Sequence, residues 1–147
     1  MSLRLFAFAF LAALFSTASA QDAPALDIST HVLDISNGVG GGGVPVTLEY
    51  WDDSAWQLVG RTTSEDNGRV ESFTPEGTPS PGAGMYRLTF DMSEFWDGAA
   101  TRTADDGNSV GAFFPEIIVV FQIADPSVHT HVPVLVSPYG YSTYRGN

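Results

Sequence analysis

Between residues 44 and 92 the chain alternates apolar and polar positions in short runs, each cut off by a turn. VPVTLEYW (44–51) stops at Asp52-Asp53-Ser54, WQLVGRTTS (56–64) stops at EDNG, and GMYRLTFDM (84–92) repeats the pattern. A period of two sends successive side chains to opposite sides of an extended backbone, so each run suits a strand with one face buried. LDISTHVLDI (26–35), RVESF (69–73), EIIVVFQI (116–123), HTHVPVLV (129–136) and GYSTYR (140–145) complete the series. MSEFWDG (92–98) is the one plausible helical turn, with Ser93 or Asp91 as cap and Gly98 as stop. Seven to eight short strands with one short helix predict an all-β antiparallel sandwich. Neither a repeat nor a linker divides it.

The first twenty residues stand apart. MSLRLFAFAFLAALFSTASA has a single positive charge at Arg4, an apolar run from Leu5 to Phe15, and the small residues Ala18-Ser19-Ala20. That is the layout of a secretory signal peptide with cleavage following Ala20. The apolar run is well short of the roughly 20 residues a bilayer-spanning helix needs. Residues 21–147 then form a single domain, periplasmic or secreted. The chain has no cysteine, so an oxidising compartment supplies it with no disulfide.

Without the leader, five arginines face seventeen acids and there is no lysine, a formal charge of −12. Such a surface repels nucleic acid and anionic membrane, which excludes both as partners. It also makes each of Arg61, Arg69, Arg87, Arg102 and Arg145 a candidate for an anionic or carbonyl-rich ligand.

In the penultimate strand His131, Pro133 and Leu135 face one way, and Val132, Val134 and Val136 the other. Both faces are largely apolar, so a second surface, either another subunit or this chain's own loops, must cover the outer one. GVGGGG (38–43) lacks the Gly-Lys-Ser/Thr of a phosphate loop and reads as a mobile connection. DDGN (105–108) lacks a calcium loop's alternating ligands and reads as a turn. Glu49, Asp52 and Asp53 have the residue types of a glycosidase carboxylate pair, but their place at a hairpin suits solvated acids. His129 and His131 share one strand face at a spacing metal sites use, and His31 is the obvious third ligand. The alternatives are a solvated and packed pair, or catalysis.

STHVLDISNG with GVPVTLEYW, then TTSEDNGRV, then HTHVPVLVSPYGYSTYRGN, in that order, resemble the 5-hydroxyisourate hydrolases, transthyretin-like enzymes of urate breakdown. The likeness spans essentially all of residues 21–147. It implies two four-stranded sheets and a short helix, a homotetramer built as a dimer of dimers, and sites in the channel at the subunit interface. It further implies a small-molecule substrate, 5-hydroxyisourate, opened to 2-oxo-4-hydroxy-4-carboxy-5-ureidoimidazoline without metal or other cofactor. The family's catalytic histidines fall on His31 and His131 and its arginine on Arg69. Its closing substrate-binding signature falls on Tyr144, Arg145, Gly146 and Asn147.

Three departures accompany the match. Asn147 stands where the family has serine, so a role for a terminal hydroxyl does not carry over. Thr130 replaces an aromatic residue between the histidines, and the glycine run replaces Pro-Ala, which predicts a looser connection. The hormone carrier transthyretin lacks these histidines, this arginine and the Tyr-Arg-Gly ending, which favours the enzyme over a non-catalytic binder. Neutral imidazole, with an ordinary pKa of about 6.5, suits water activation, and a guanidinium suits charge developing on a carbonyl oxygen.

If the leader is removed as its layout predicts, the intact mass and first residues of protein from an exporting host correspond to a chain beginning at Gln21. A chain that still carries residues 1–20 after export overturns that reading.

Overall fold

The computed structural model describes residues 26–75, 77–79, 81–96 and 112–146. The leader, Arg102, the DDGN turn and Asn147 lie outside the described residues. Ten extended segments follow in order: β1 (Ile28–Asp34), β2 (Val39–Gly40), β3 (Pro45–Trp51), β4 (Trp56–Thr63), β5 (Arg69–Val70), β6 (Gly84–Asp91), β7 (Glu116–Ile123), β8 (Thr130–His131), β9 (Val134–Ser137) and β10 (Gly140–Thr143). They make two sheets, one ordered β4-β3-β6-β7 and one ordered β10-β9-β1-β2, with β5 and β8 also pairing with β1. The predicted sandwich is present, although β1 pairs in parallel with β8 and β9.

The four-stranded sheet follows the alternation in the sequence. Val46 and Leu48 of β3, Tyr86, Leu88 and Phe90 of β6, and Ile117 and Val119 of β7 turn inward and are buried. Across from them lie Ile28 and Val32 of β1 with Val132, Val134 and Val136. Full burial of one such side chain contributes about 1.5–3 kcal/mol. This shared core presses the sheets together and leaves the outer side of β1 free for other work.

Four local readings change. No helix occurs among the described residues; residues 93–96 form a turn in which the Phe95 N–H donates to the Met92 carbonyl at 3.2 Å and Asp91 caps the Ser93 N–H at 3.0 Å. HTHVPVLV is two strands, because Pro133 has no N–H to continue a ladder. Glu49 is not a solvated hairpin acid: its Oε2 accepts from Arg87 Nε at 2.7 Å and Nη2 at 2.6 Å, and that guanidinium lies 4.5 Å over the Trp56 ring. Asp52 does belong to the hairpin, where hydrogen bonds from Ser54 and Ala55 hold its carboxyl down to about 2.

The glycine run is packed, not loose. A Cβ on Gly40 would sit 1.9 Å from the Asn67 carbonyl oxygen, and one on Gly68, at φ +85°, would sit 2.2 Å from that of Val32. Only glycine allows these backbones to approach so closely. The Val32 N–H donates to Gly68 O at 2.8 Å and the Gly41 N–H to Val32 O at 2.9 Å, which ties both loops to β1.

Buried polar contacts fasten β8. Thr30, 1% exposed, donates from Oγ1 to the Val132 carbonyl at 2.6 Å, and the Val132 N–H donates to Ser29 O at 3.0 Å. Replacing Thr30 by the isosteric valine strands a buried acceptor, so Thr30→Val is expected to cost about 1–3 kcal/mol in urea unfolding. An unchanged midpoint and slope would show that this hydrogen bond contributes nothing to the fold.

Candidate active site

The site is a consequence of register. In β1 the core takes Ile28, Thr30, Val32 and Asp34, which sends Ser29 and His31 to the outer side. His31 is the cross-strand partner of Arg69 in β5, and Ser29 is the partner of His131 in β8. Two short strands flanking one central strand therefore bring together His31, Arg69 and His131, which lie far apart in the chain.

Hydrogen bonds orient both rings. His31 Nε2 lies 2.9 Å from the Asn67 carbonyl oxygen, which can only accept, so Nε2 carries the proton and Nδ1 is left for chemistry in the neutral ring. His131 Nδ1 lies 2.7 Å from Ser29 Oγ, which leaves Nε2 as its reactive nitrogen. The chain terminus closes on that ring: the Gly146 N–H donates to His131 O at 2.8 Å, and a Cβ on Gly146 would come within 2.6 Å of His131 Cδ2. Any other residue at 146 would displace the imidazole.

Electrostatics favour a neutral base. Desolvation pushes the His131 pKa below the ordinary 6.5, and the charges of Arg69, His129 and His31 push the same way against a smaller opposing pull from Glu71. The Arg69 side chain is 46% exposed, and its ion pair to Glu71, at 3.9 Å, is long. Its guanidinium is thus available to an incoming oxygen.

The closing segment divides. Gly146 meets the histidine cluster, whereas Tyr144 and Arg145 line a neighbouring groove of about 390 Å³ with Phe121, Ile123, Val128 and Val132. Among the described residues, no three His, Asp or Glu side chains are grouped so as to hold a metal ion. His129 is instead engaged by Ser29, with Nε2 2.8 Å from Oγ. Sequence reasoning missed Ser29 and Asn67. A signal for Ser29 existed, since it lies two residues before His31 and hence on the same strand face; Asn67 acts through its backbone, which no side-chain pattern reveals.

The two-sheet β-sandwich, with two oriented imidazoles and a guanidinium on its outer face, has the transthyretin-like architecture. The chain belongs to the HIUase/Transthyretin family, whose profile matches residues 28–146. It is 37% identical over 137 residues to a probable 5-hydroxyisourate hydrolase of Caenorhabditis elegans, covering 93% of each chain. It is 37% identical over 120 residues to the 5-hydroxyisourate hydrolase of Salmonella dublin, covering 82% of this chain and 80% of that one. The solved structure of Klebsiella pneumoniae 5-hydroxyisourate hydrolase superposes with a TM-score of 0.64 at 32% identity, over 82% of this chain and 99% of that one.

Nuclear magnetic resonance titration of the imidazoles tests the electrostatics. His131 is expected to titrate below 6.5, and Arg69→Ala should raise its midpoint only part-way, because desolvation is the larger cause. A midpoint that does not respond to the loss of Arg69 separates the two groups.

Proposed function

We propose that this chain is a hydrolase that opens the ring of 5-hydroxyisourate to 2-oxo-4-hydroxy-4-carboxy-5-ureidoimidazoline in urate degradation. The observation that carries the reading is the meeting of His31, Arg69 and His131 on one sheet face, in a chain whose relatives bear that enzyme's name. His131 Nε2 removes a proton from water as the water oxygen bonds to the ring carbonyl carbon. Arg69 faces the negative charge that develops on the carbonyl oxygen. The C–N bond then breaks, and the leaving nitrogen takes the proton that His131 Nε2 holds, while the unprotonated His31 Nδ1 accepts a hydrogen bond from substrate or water. Of the closing residues that the family likeness assigns to substrate, Gly146 backs His131, and Tyr144 and Arg145 reach the substrate ring from the adjoining groove, with Asn147 following them.

The working protein is a homotetramer, a dimer of dimers whose facing subunits enclose the sites. Several features support this. β7 and β10 are sheet edges with open backbone groups. Ile118 and Val120 on β7 are 46% and 51% exposed, and Tyr141 on β10 is 43% exposed. A facing subunit would also exclude water from the half-open cluster, which strengthens each charge interaction inside it. Export after removal of residues 1–20 places this activity in the periplasm or outside the cell.

The direct test is the absorbance decay of freshly generated 5-hydroxyisourate with and without protein. Acceleration is expected, and removal of one preorganised charge donor typically costs about 2.7–4 kcal/mol of barrier. Arg69→Ala and His131→Ala should therefore each slow ring opening by roughly 100-fold or more, with the sedimentation profile of a tetramer retained. Because the base must be neutral, the rate should hold down to the lowered His131 pKa and fall below it. Dialysis against a strong chelator should leave the rate unchanged; lost activity restored by a metal would favour the histidine-metal reading. Binding without turnover would make the chain a non-catalytic ligand carrier.

A further inference from the structure

Ser29 stands between two imidazoles. Its Oγ is 2.7 Å from His131 Nδ1 and 2.8 Å from His129 Nε2, and the two rings are near parallel, with centroids 6.2 Å apart. The residue is 4% exposed, so this hydroxyl has little access to water as an alternative partner. One hydroxyl proton can serve only one of the two nitrogens, so the other nitrogen must be the donor. The three groups therefore form a directional chain.

We propose that Ser29 and His129 are a proton relay behind His131, which moves the positive charge formed during ring opening from the reacting imidazole to an exposed one. The proposal rests on the hydrolase reading for its place in turnover, although the relay itself is a property of the free protein. In the resting state His131 Nδ1–H donates to Ser29 Oγ, and the Oγ–H donates to His129 Nε2. When His131 Nε2 takes a proton from water, His131 carries both N–H protons. Nδ1 then passes its proton to Oγ as Oγ passes its own to His129 Nε2. His131 is left neutral with its proton on Nε2, and His129 holds the charge. Delivery of the Nε2 proton to the leaving nitrogen is matched by the reverse transfer, from His129 through Oγ to His131 Nδ1. No proton is gained or lost over the cycle.

The surroundings of the two rings set the direction. His131 is half-buried, and desolvation together with Arg69 and His31 disfavours an imidazolium there, with only Glu71 opposing them. The His129 side chain is 43% exposed, and its Nε2 lies 3.9 Å from Asp27 Oδ1. The His129 ring thus reaches solvent and faces a carboxylate, while its Nε2 stays bonded to Ser29.

Ser29 acts as a positioning residue through His131, so the test needs readouts that simple packing would not move. In long-range proton–nitrogen spectra of the substrate-free protein, His131 is expected as the Nδ1–H tautomer and His129 with Nε2 unprotonated, the pattern that a directional Ser29 bridge imposes. In Ser29→Ala each ring should relax to a mixture of both tautomers. Spectra of Ser29→Ala that superpose on those of the parent protein overturn the relay, whatever happens to activity.

In turnover, Ser29→Ala and His129→Gln should each lower kcat on the order of tenfold with KM little changed, and each should shift the acid limb of the pH profile. Ser29→Thr, which keeps the hydroxyl, should recover the rate. Full kcat and an unshifted profile in His129→Gln also overturn the relay. Ser29-dependent tautomers in a protein that does not accelerate 5-hydroxyisourate decay would leave the relay standing and remove the substrate assignment instead.

Discussion

The parallel pairing of β1 with β8 and β9 is the constraint on which the rest depends. It matches Ser29 with His131 and Val32 with Val134, so a single register sets both the outer cluster and the inner packing. A slip of one residue would exchange the faces, sending Val132 and Val134 outward and the histidines into the core. The apolar side makes that slip prohibitive: Val32 and Val134 are fully buried against the opposite sheet. Hydrophobic burial on one side of the strand thereby specifies polar geometry on the other.

The opposite edge of β1 is held by different means. Gly40, Gly41 and Gly68 bring two loop backbones against the Val32 peptide, beside the pairing of His31 with Arg69. Backbone hydrogen bonds of 2.8–2.9 Å hold that edge so that Arg69 stands opposite His31. A strand locked from both edges carries Ser29 and His31 and fixes them against His131 and Arg69. The remaining acidity of the chain is distributed over turns such as Asp52 and Asp125, whose carboxyls are held low by serine hydroxyls.

Much of this was legible from residue order. The alternation in VPVTLEYW and GMYRLTFDM marks strands because period two is enforced locally, and both are strands with the expected faces inward. His31, Arg69 and His131 stood out as a histidine within a strand, an arginine after Asn-Gly, and a histidine opening an apolar run. The glycine run was misjudged because flexibility is a property of isolated glycine, whereas here the missing Cβ is filled by another backbone. Glu49 was misjudged for a related reason: its Arg87 partner is 38 residues away and reaches it only across the β3–β6 pairing.

The sequence alone determined the strand-rich class and the family, since both are written in local periodicity and in ordered motifs, and it marked His31, Arg69 and His131 as candidates. Tertiary structure alone decided which nitrogen each imidazole presents, that Gly146 closes on His131 while Tyr144 and Arg145 turn to a neighbouring groove, and that Ser29 joins two histidines. Those facts depend on contacts of about 3 Å between residues separated by as many as 102 positions. Chain order cannot encode such contacts until the register of β1 is set.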